Sequence, residues 1–397
     1  MVVGFRVALD ARRIVGNRRG VGQYVWQLAK NLPAAAPGVE FLLLLDRILP
    51  EGSLPPGCRQ VVVGRQHVTL SQSLSGLGSK VYSQYWMNVL VPRVLAAKKV
   101  SLFHATNFAV PLVSPCPVVV TIHDLIYARA PGAFESGYER YLSLMTPIAV
   151  RRADHVIADS EATRADLMSA CRVVHDRISV IHLGVSDEFR PCNEPEYLKC
   201  VRATLKLPAR FVLHVGAVER RKKLETLVEA AAPLLKSSIV DAVVLAGEAG
   251  FGSDAVWRAA EHLGIRDRVL HLGYVPQEML PGLYNLALVL TLASAYEGFG
   301  MPILEAMACG TPTIVSDVSS LPEIAGDAAL LVRPGDADGL SRALRSLVTD
   351  DCLRQEIRRR GLARAGVFTW QRTAEAHVDV YRRVMRRHPI RAQRTNV

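Results

Sequence analysis

The segment EGFGMPILEAMACGTP, residues 297–312, sets Glu297 and Glu305 on either side of two glycines and a proline. Pro302 suits the first turn of a helix, where its missing N–H costs nothing. Gly310 suits the left-handed position after the last turn, and Pro312 blocks continuation. The pattern therefore predicts a short helix over Pro302 to Cys309, with Glu305 in its first turn and Glu297 in the loop before it. The free N–H groups of such a terminus attract an anion, and Gly298 and Gly300 let the backbone approach a ligand closely. Acids in that setting read as ligand chemistry more readily than as surface decoration.

Other residues offer matching chemistry. Arg220, Arg221, Lys222 and Lys223 follow the strand-like run RFVLHVG and precede a helical pattern, so positive charge gathers at a strand–helix junction. His123 follows CPVVVTI, at the carboxyl end of a strand, where ligands collect in open α/β sheets. His104, in LFHATN, is a candidate for the same crevice. Gly20 and Gly22 stand at the first strand–helix junction, a place for close backbone approach to a phosphate or an acceptor. Asp336-Ala-Asp338 has the form of a metal-binding D-x-D, but its place between RPG and a helix makes one of the two aspartates a cap. Ser320 to Glu323 fits a capping box. The seven cysteines are scattered without CxxC pairs, and no histidines show metal spacing, so reduced thiols and no metal site are expected.

Elements must position these groups. Buried strand candidates (FRVALD, VEFLLLLD, CPVVVTIHD, ADHVIADS) alternate with helical patterns, such as Val21, Tyr24, Val25, Leu28 and Leu32. Ser160 stands where an N-cap is wanted before EATRADLMSA. From Phe189 to Pro208 polar residues and prolines interrupt the pattern, reading as a linker, and the alternation then restarts at RFVLHVG. Near-continuous apolar strands between helices indicate parallel sheets covered on both faces. The expected fold is α/β, with two Rossmann-like doubly wound parallel-sheet domains facing a central cleft. Residues 1–190 form the first, 191–372 the second, and 373–397 a C-terminal helix and basic tail packing back on the first. Ala374, Val378, Tyr381 and Met385 share one face of that helix.

The chain has 397 residues and a formal net charge of +11, with half its residues hydrophobic, which fits a globular protein with an anionic partner. Ribonucleoprotein, zinc-finger and basic-zipper patterns are absent, so nucleic acid is not expected. No apolar run approaches a membrane span, and the start, MVVGFRVALD, lacks the form of a secretory signal.

The E-x7-E motif from Glu297 to Glu305, together with RRGVGQY, VTIHDL, RRADHVIADSEATRADL, VGAVERRKKLETL, LGYV, SSLPEIAGDAALLVRP and FTW in that order, resembles the retaining GT-B glycosyltransferases of family 4, also called group 1. The likeness spans almost the whole chain and is strongest to the bacterial mannosyltransferase-like branch. It implies that Glu297 lies beside the donor sugar and Glu305 bonds the nucleotide ribose. It also implies that Gly298, Phe299, Gly300 and Met301 line the donor, while the Tyr274 and Val275 backbone meets the base. His123 would reach the sugar, and Lys222 would meet the diphosphate. Many members carry an arginine directly after the strand glycine; here that position is Ala217, which leaves Arg220 or Arg221 to compensate, or Lys222 to act alone.

The implied activity is retaining, metal-independent transfer of a hexose from a nucleotide sugar, with GDP-mannose or a related GDP-sugar the expected donor. The expected acceptor is a lipid-linked or growing saccharide of a cell-surface polysaccharide such as lipopolysaccharide. The protein would be cytoplasmic, meeting the anionic inner face of the membrane peripherally. A sugar-nucleotide epimerase or hydrolase, and a non-catalytic nucleotide-sugar-binding protein, are the rival readings of the same architecture.

Overall fold

Val, Ile and Leu runs flanked by helices become two separate parallel sheets in a computed structural model of the chain, which describes residues 5–16, 18, 20–50, 52–64 and 77–388. The first sheet holds β1 (Arg6–Asp10), β2 (Glu40–Leu45), β3 (Cys58–Val62), β4 (Leu102–Ala105), β5 (Val118–Ile122), β6 (His155–Ala158) and β7 (Ile178–Val180). Its order is β3-β2-β1-β4-β5-β6-β7. The second holds β8 (Phe211–Val215), β9 (Ala242–Ala246), β10 (Val269–Gly273), β11 (Val289–Leu292), β12 (Thr313–Ser316) and β13 (Leu330–Val332). Its order is β10-β9-β8-β11-β12-β13.

Every pairing between these strands is parallel, as in Val119 opposite His155 and Leu290 opposite Thr313. Strands β5, β8 and β9 are buried along their whole length, because helices cover both faces of each sheet. Each order reverses once, beside β1 and β4 in the first sheet and beside β8 and β11 in the second. Such a reversal splays the crossover loops apart and leaves room for a ligand at the carboxyl ends of the strands.

The chain divides into two compact units, and the division differs from the sequence-based boundaries. One unit is Met1–Leu125, Arg140–Leu183 and Trp370–Val397; the other is Ile126–Glu139 and Gly184–Thr369. Residues 126–139 join the second unit because Ile126 and Ala133 bury their side chains against Tyr296. Residues 184–190 join it because the Val185 amide donates to the Phe368 carbonyl at 3.0 Å and Phe189 stacks edge-on against Tyr284, 5.8 Å between ring centroids. The expected linker from Phe189 to Pro208 is thus an integral part of the second unit. Its helix Pro195–Thr204 buries Val201, and the Gly282 amide donates to the Tyr197 hydroxyl at 3.1 Å.

The C-terminal helix Trp370–Arg387 belongs to the first unit and is tied there by a buried chain of hydrogen bonds. His377 Nδ1 faces the Thr373 carbonyl at 2.7 Å, and a carbonyl only accepts, so Nδ1 carries the proton. Burial holds His377 at about 4 and His104 well below its ordinary range, so both rings are neutral near pH 7. The remaining directions then follow. Tyr24 donates to His377 Nε2 at 2.9 Å and accepts from Thr121 Oγ1 at 2.9 Å. Thr121 accepts from His104 Nε2 at 2.8 Å, and Tyr381 donates to His104 Nδ1 at 2.7 Å. The chain leaves the C-terminal helix at Tyr381, crosses β4, β5 and the helix Val21–Ala35, and returns at His377. This corrects the expectation for His104, which is fully buried in a structural network and lines no crevice.

Candidate active site

Lys222 and Glu297 come from the two loops that leave the switch point of the second sheet. After β8 the backbone reaches φ 141° at Gly216, a region that favours glycine, and a Cβ there would stand 3.6 Å from Lys222 Nζ. A short turn, Arg220–Lys222, then brings Lys222 back over the strand end. After β11, Ser294 and Glu297 enter the same space. Lys222 Nζ donates to Glu297 Oε1, which also accepts from the Ser294 hydroxyl at 2.6 Å. Arg221 reaches Glu297 Oε2 at 3.3 Å while Glu219 holds its Nε at 2.9 Å. The Arg221 carbonyl accepts from the Ala295 amide at 2.8 Å, so the two loops are also joined through backbone.

The two arginines left as candidates by Ala217 lie differently. Arg221 enters the cluster, whereas the Arg220 guanidinium turns away to lie 5.9 Å from the ring centre of Phe251.

The cluster is almost dry: Lys222 and Glu297 are 6% and 8% exposed. Burial opposes ionisation of Glu297, but Lys222 and Arg221 outweigh it and hold the carboxyl at about 2. For Lys222 burial wins, and its pKa falls below the ordinary value even beside Glu297. The carboxylate's direction governs the pair, because two cations answer one anion. Below them His214 donates from Nδ1 to the Thr291 carbonyl at 3.2 Å, and among the described residues its buried Nε2 has no partner. Burial and the neighbouring Lys222 hold it neutral, at about 4.

The glycine turn is pinned from a third loop. The Glu297 amide donates to Ser319 Oγ at 3.0 Å, and Ser320 Oγ faces the carbonyls of Glu297 at 3.0 Å and Phe299 at 3.1 Å. Ser320 is therefore not the capping-box residue that its spacing to Glu323 suggested: its side chain makes no cap to the helix Leu321–Ala325. Gly300 adopts φ 96° as the N-cap of the helix Met301–Ala308, and a Cβ there would meet Leu321 Cδ2 at 3.0 Å. Phe299 is buried and packs edge-on to Phe368, 6.3 Å between ring centroids.

The helix begins at Met301, so Glu305 lies in its second turn and not in the first, out of reach of the terminal amides. Tyr284 donates to Glu305 Oε2 at 2.6 Å. Burial lifts the Glu305 carboxyl to about 7 despite that bond, with Glu188 adding to the rise. Tyr274 and Val275 follow the end of β10; Tyr274 is exposed, while the Val275 side chain joins the core. A concavity of about 730 Å³ in this unit is lined by Glu188, Arg190, Tyr197 and Pro281, and does not contain Lys222 or Glu297. Asp336 accepts from the Gly339 amide at 2.8 Å as a helix cap, and among the described residues no three His, Cys, Asp or Glu gather as a metal cage.

In the first unit, His123 sits at the end of β5 with both ring nitrogens engaged. Nε2 donates to the Thr106 carbonyl at 3.0 Å, and Nδ1 meets Asp159 Oδ2 at 2.6 Å. Burial opposes the charge on His123, but Asp159 outweighs it and lifts the ring above its ordinary range. A carboxylate and a carbonyl both accept, so each ring nitrogen faces an acceptor and neither is left free for a ligand. Gly20 caps the helix Val21–Ala35 with open space where a side chain would project. Gly22 is required by the chain itself, since a Cβ would strike the Arg13 carbonyl oxygen.

Sequence reasoning brought Glu297 and Lys222 to one place but missed Ser294, Ser319, Ser320 and Glu219. Ser294 and Ser319 carry no spacing signal, and the spacing of Ser320 to Glu323 pointed to a cap; only their neighbours across the fold reveal their part in the turn.

Residues 202–364 match the family model for glycosyl transferases group 1, and residues 18–189 match that for glycosyltransferase family 4. The O-antigen chain mannosyltransferase B of Escherichia coli is 31% identical over 282 residues, which cover 71% of this chain and 74% of that protein. The D-inositol 3-phosphate glycosyltransferase of Streptomyces avermitilis is 29% identical over 415 residues, covering 95% of this chain and 86% of its own. The structure of sucrose-phosphate synthase from Thermosynechococcus elongatus superposes with a TM-score of 0.74 at 23% identity, over 96% of this chain and all of that one, and shows a shared fold.

Proposed function

This chain belongs to the group 1, family 4 glycosyltransferases, and from that premise we propose that it transfers a hexose, with retention and without a bound metal, from a GDP-sugar such as GDP-mannose. The acceptor is a lipid-linked or growing saccharide of a cell-surface polysaccharide, met at the cytoplasmic face of the membrane. The observation that carries this reading is the buried cluster of Lys222, Arg221 and Glu297 at the switch point of the second sheet.

Breaking the bond from the sugar's anomeric carbon to the diphosphate oxygen leaves the electron pair on the diphosphate and positive charge on the sugar. An ammonium has three N–H donors and Lys222 uses one on Glu297, so the others are available to phosphate oxygens. Donors fixed in a dry site stabilise developing charge without reorganising, commonly the largest catalytic term. Glu297 holds Lys222 in place and its carboxylate faces the cationic sugar. The acceptor hydroxyl attacks from the face the diphosphate leaves and passes its proton to the departing oxygen. Glu305, held by Tyr284, takes the ribose hydroxyls. The 31% identity to an O-antigen mannosyltransferase supports mannose and a polysaccharide acceptor.

The test is a transfer assay with a panel of nucleotide sugars and lipid-extracted acceptors, read by mass spectrometry. A product one hexose longer is expected with a GDP-sugar, undiminished by a chelator. Lys222→Ala and Glu297→Gln should lower turnover by roughly 10²-fold or more, and His123→Ala should lower turnover more than nucleotide affinity. Wild-type rates in both Lys222→Ala and Glu297→Gln would defeat the assignment.

A further inference from the structure

Exposed apolar side chains of the first unit gather largely on a stretch of sequence without acidic residues. From Gly52 to His123 the sequence contains no Asp or Glu, although the chain has 37 of them. Val81 and Tyr85, 61% and 48% exposed, lie one turn apart on the helix Leu77–Tyr85. On the same side, Gln84 Nε2 donates to the Tyr141 hydroxyl at 2.9 Å, and Asn88 Oδ1 accepts from the Leu112 amide at 2.9 Å. Those bonds bring Leu112 and Val113, 47% and 76% exposed, beside that helix. They also bring in the helix Ser136–Arg152, where Leu144 is 67% exposed. At helical spacing Arg140, Leu144 and Arg151 share one stripe of it, and Arg152 reaches the Leu112 carbonyl at 3.5 Å.

We propose that this face, with Val81, Tyr85, Leu112, Val113 and Leu144 at its centre and Arg140, Arg151 and Arg152 beside them, docks on a bilayer carrying anionic headgroups. The occupant is chosen by charge. Scattered exposed apolar residues need no explanation, but exposed apolar side chains on elements tied together by hydrogen bonds, with three arginines beside them, mark an interaction surface. Apolar side chains enter the headgroup boundary while arginine stems lie along them and place guanidinium groups among phosphates. Among the described residues no helix is long and apolar enough to cross a membrane, so the contact is superficial. The face deepens the proposed function, resting on it only for the acceptor: a lipid-linked saccharide would be met where the enzyme sits.

The test compares sedimentation of the full chain with vesicles of phosphatidylcholine plus phosphatidylglycerol and of phosphatidylcholine alone. Wild type should bind the anionic vesicles at low salt and release at high salt. The triple variants Leu112→Asp/Val113→Asp/Leu144→Asp and Arg140→Glu/Arg151→Glu/Arg152→Glu should each lose about tenfold or more in partitioning. Leu331→Asp/Val367→Asp, exposed apolar positions in the other unit, should bind as wild type. All changed side chains are exposed, and unchanged melting curves would verify the folds. Absence of wild-type binding, wild-type partitioning by both triple variants, or equal loss in the control would overturn the docking face. Turnover on a water-soluble acceptor separates the two proposals: a wild type that turns over but never binds vesicles sinks only the docking face. One that binds through this face without turning over upholds the face and removes the proposed function.

Discussion

A buried lysine keeps its charge only where an anion answers it, and Glu297 supplies that anion for Lys222. Removing one partner of such a pair strands the other, at a cost of roughly 3–5 kcal/mol. Glu297→Ala is therefore expected to destabilise the protein as well as silence it, whereas Glu297→Gln keeps an oxygen for Lys222 and Ser294; urea unfolding of both variants checks this. The Glu297 carboxyl sits at about 2 in the fold against an ordinary 4.5. The stability it contributes is present above pH 4.5 and is lost as pH falls towards 2, about 3 kcal/mol in all. Glu305 behaves in the opposite sense, because its folded value of about 7 lies above 4.5. Its proton is held below pH 7, so nucleotide affinity should rise by roughly threefold to tenfold between pH 6 and 8 as the carboxylate forms. Calorimetric titration of a nucleoside diphosphate measures it, and a pH dependence that persists in Glu305→Gln would assign the effect to the ligand's own phosphate.

Elements hold these side chains through contacts that no local pattern announces. The hydrogen-bond chain from Tyr381 to His377 depends on neutral histidines, and His104, Thr121, Tyr24 and His377 each donate once and accept once within it. Tyr381→Phe deletes one hydroxyl and leaves His104 Nδ1 buried without a donor, which should cost ~1–3 kcal/mol. Acid acts on the same place. His377 is held at about 4 in the fold against an ordinary 6.5, so its contribution is complete above pH 6.5 and disappears as pH falls through 6.5 towards 4. Thermal melting between pH 7 and 4.5 is expected to show wild type losing stability. Flat melting temperatures over that interval, or Tyr381→Phe melting with wild type, would contradict the network.

At the scale of the whole molecule, the last helix of the chain serves the first unit and not the one that precedes it in sequence. A chain ending at Thr369 loses Tyr381, His377 and Trp370, all buried. Limited proteolysis of that truncation should cut first within residues 5–125, stripped of their cover, and spare 184–369, which keep their own sheet and core. Early cleavage confined to 184–369 would show that the helix supports the other unit.

Periodicity and apolar content were enough, in the amino-acid sequence alone, to indicate two parallel α/β sheets and the short helix after Gly300. Alternation of buried strands with helices is a local property. The ordered motifs likewise marked Glu297, Lys222 and the family. Local patterns could not show that residues 126–139 and 184–190 belong with the second unit, or that Arg221 turns towards Glu297 while Arg220 turns towards Phe251. Nor could they show that Ser320 pins a loop instead of capping a helix. Those outcomes depend on which surfaces meet after the chain has folded, because burial and hydrogen-bond partners across the sheet, not neighbours along the chain, decide where each side chain turns.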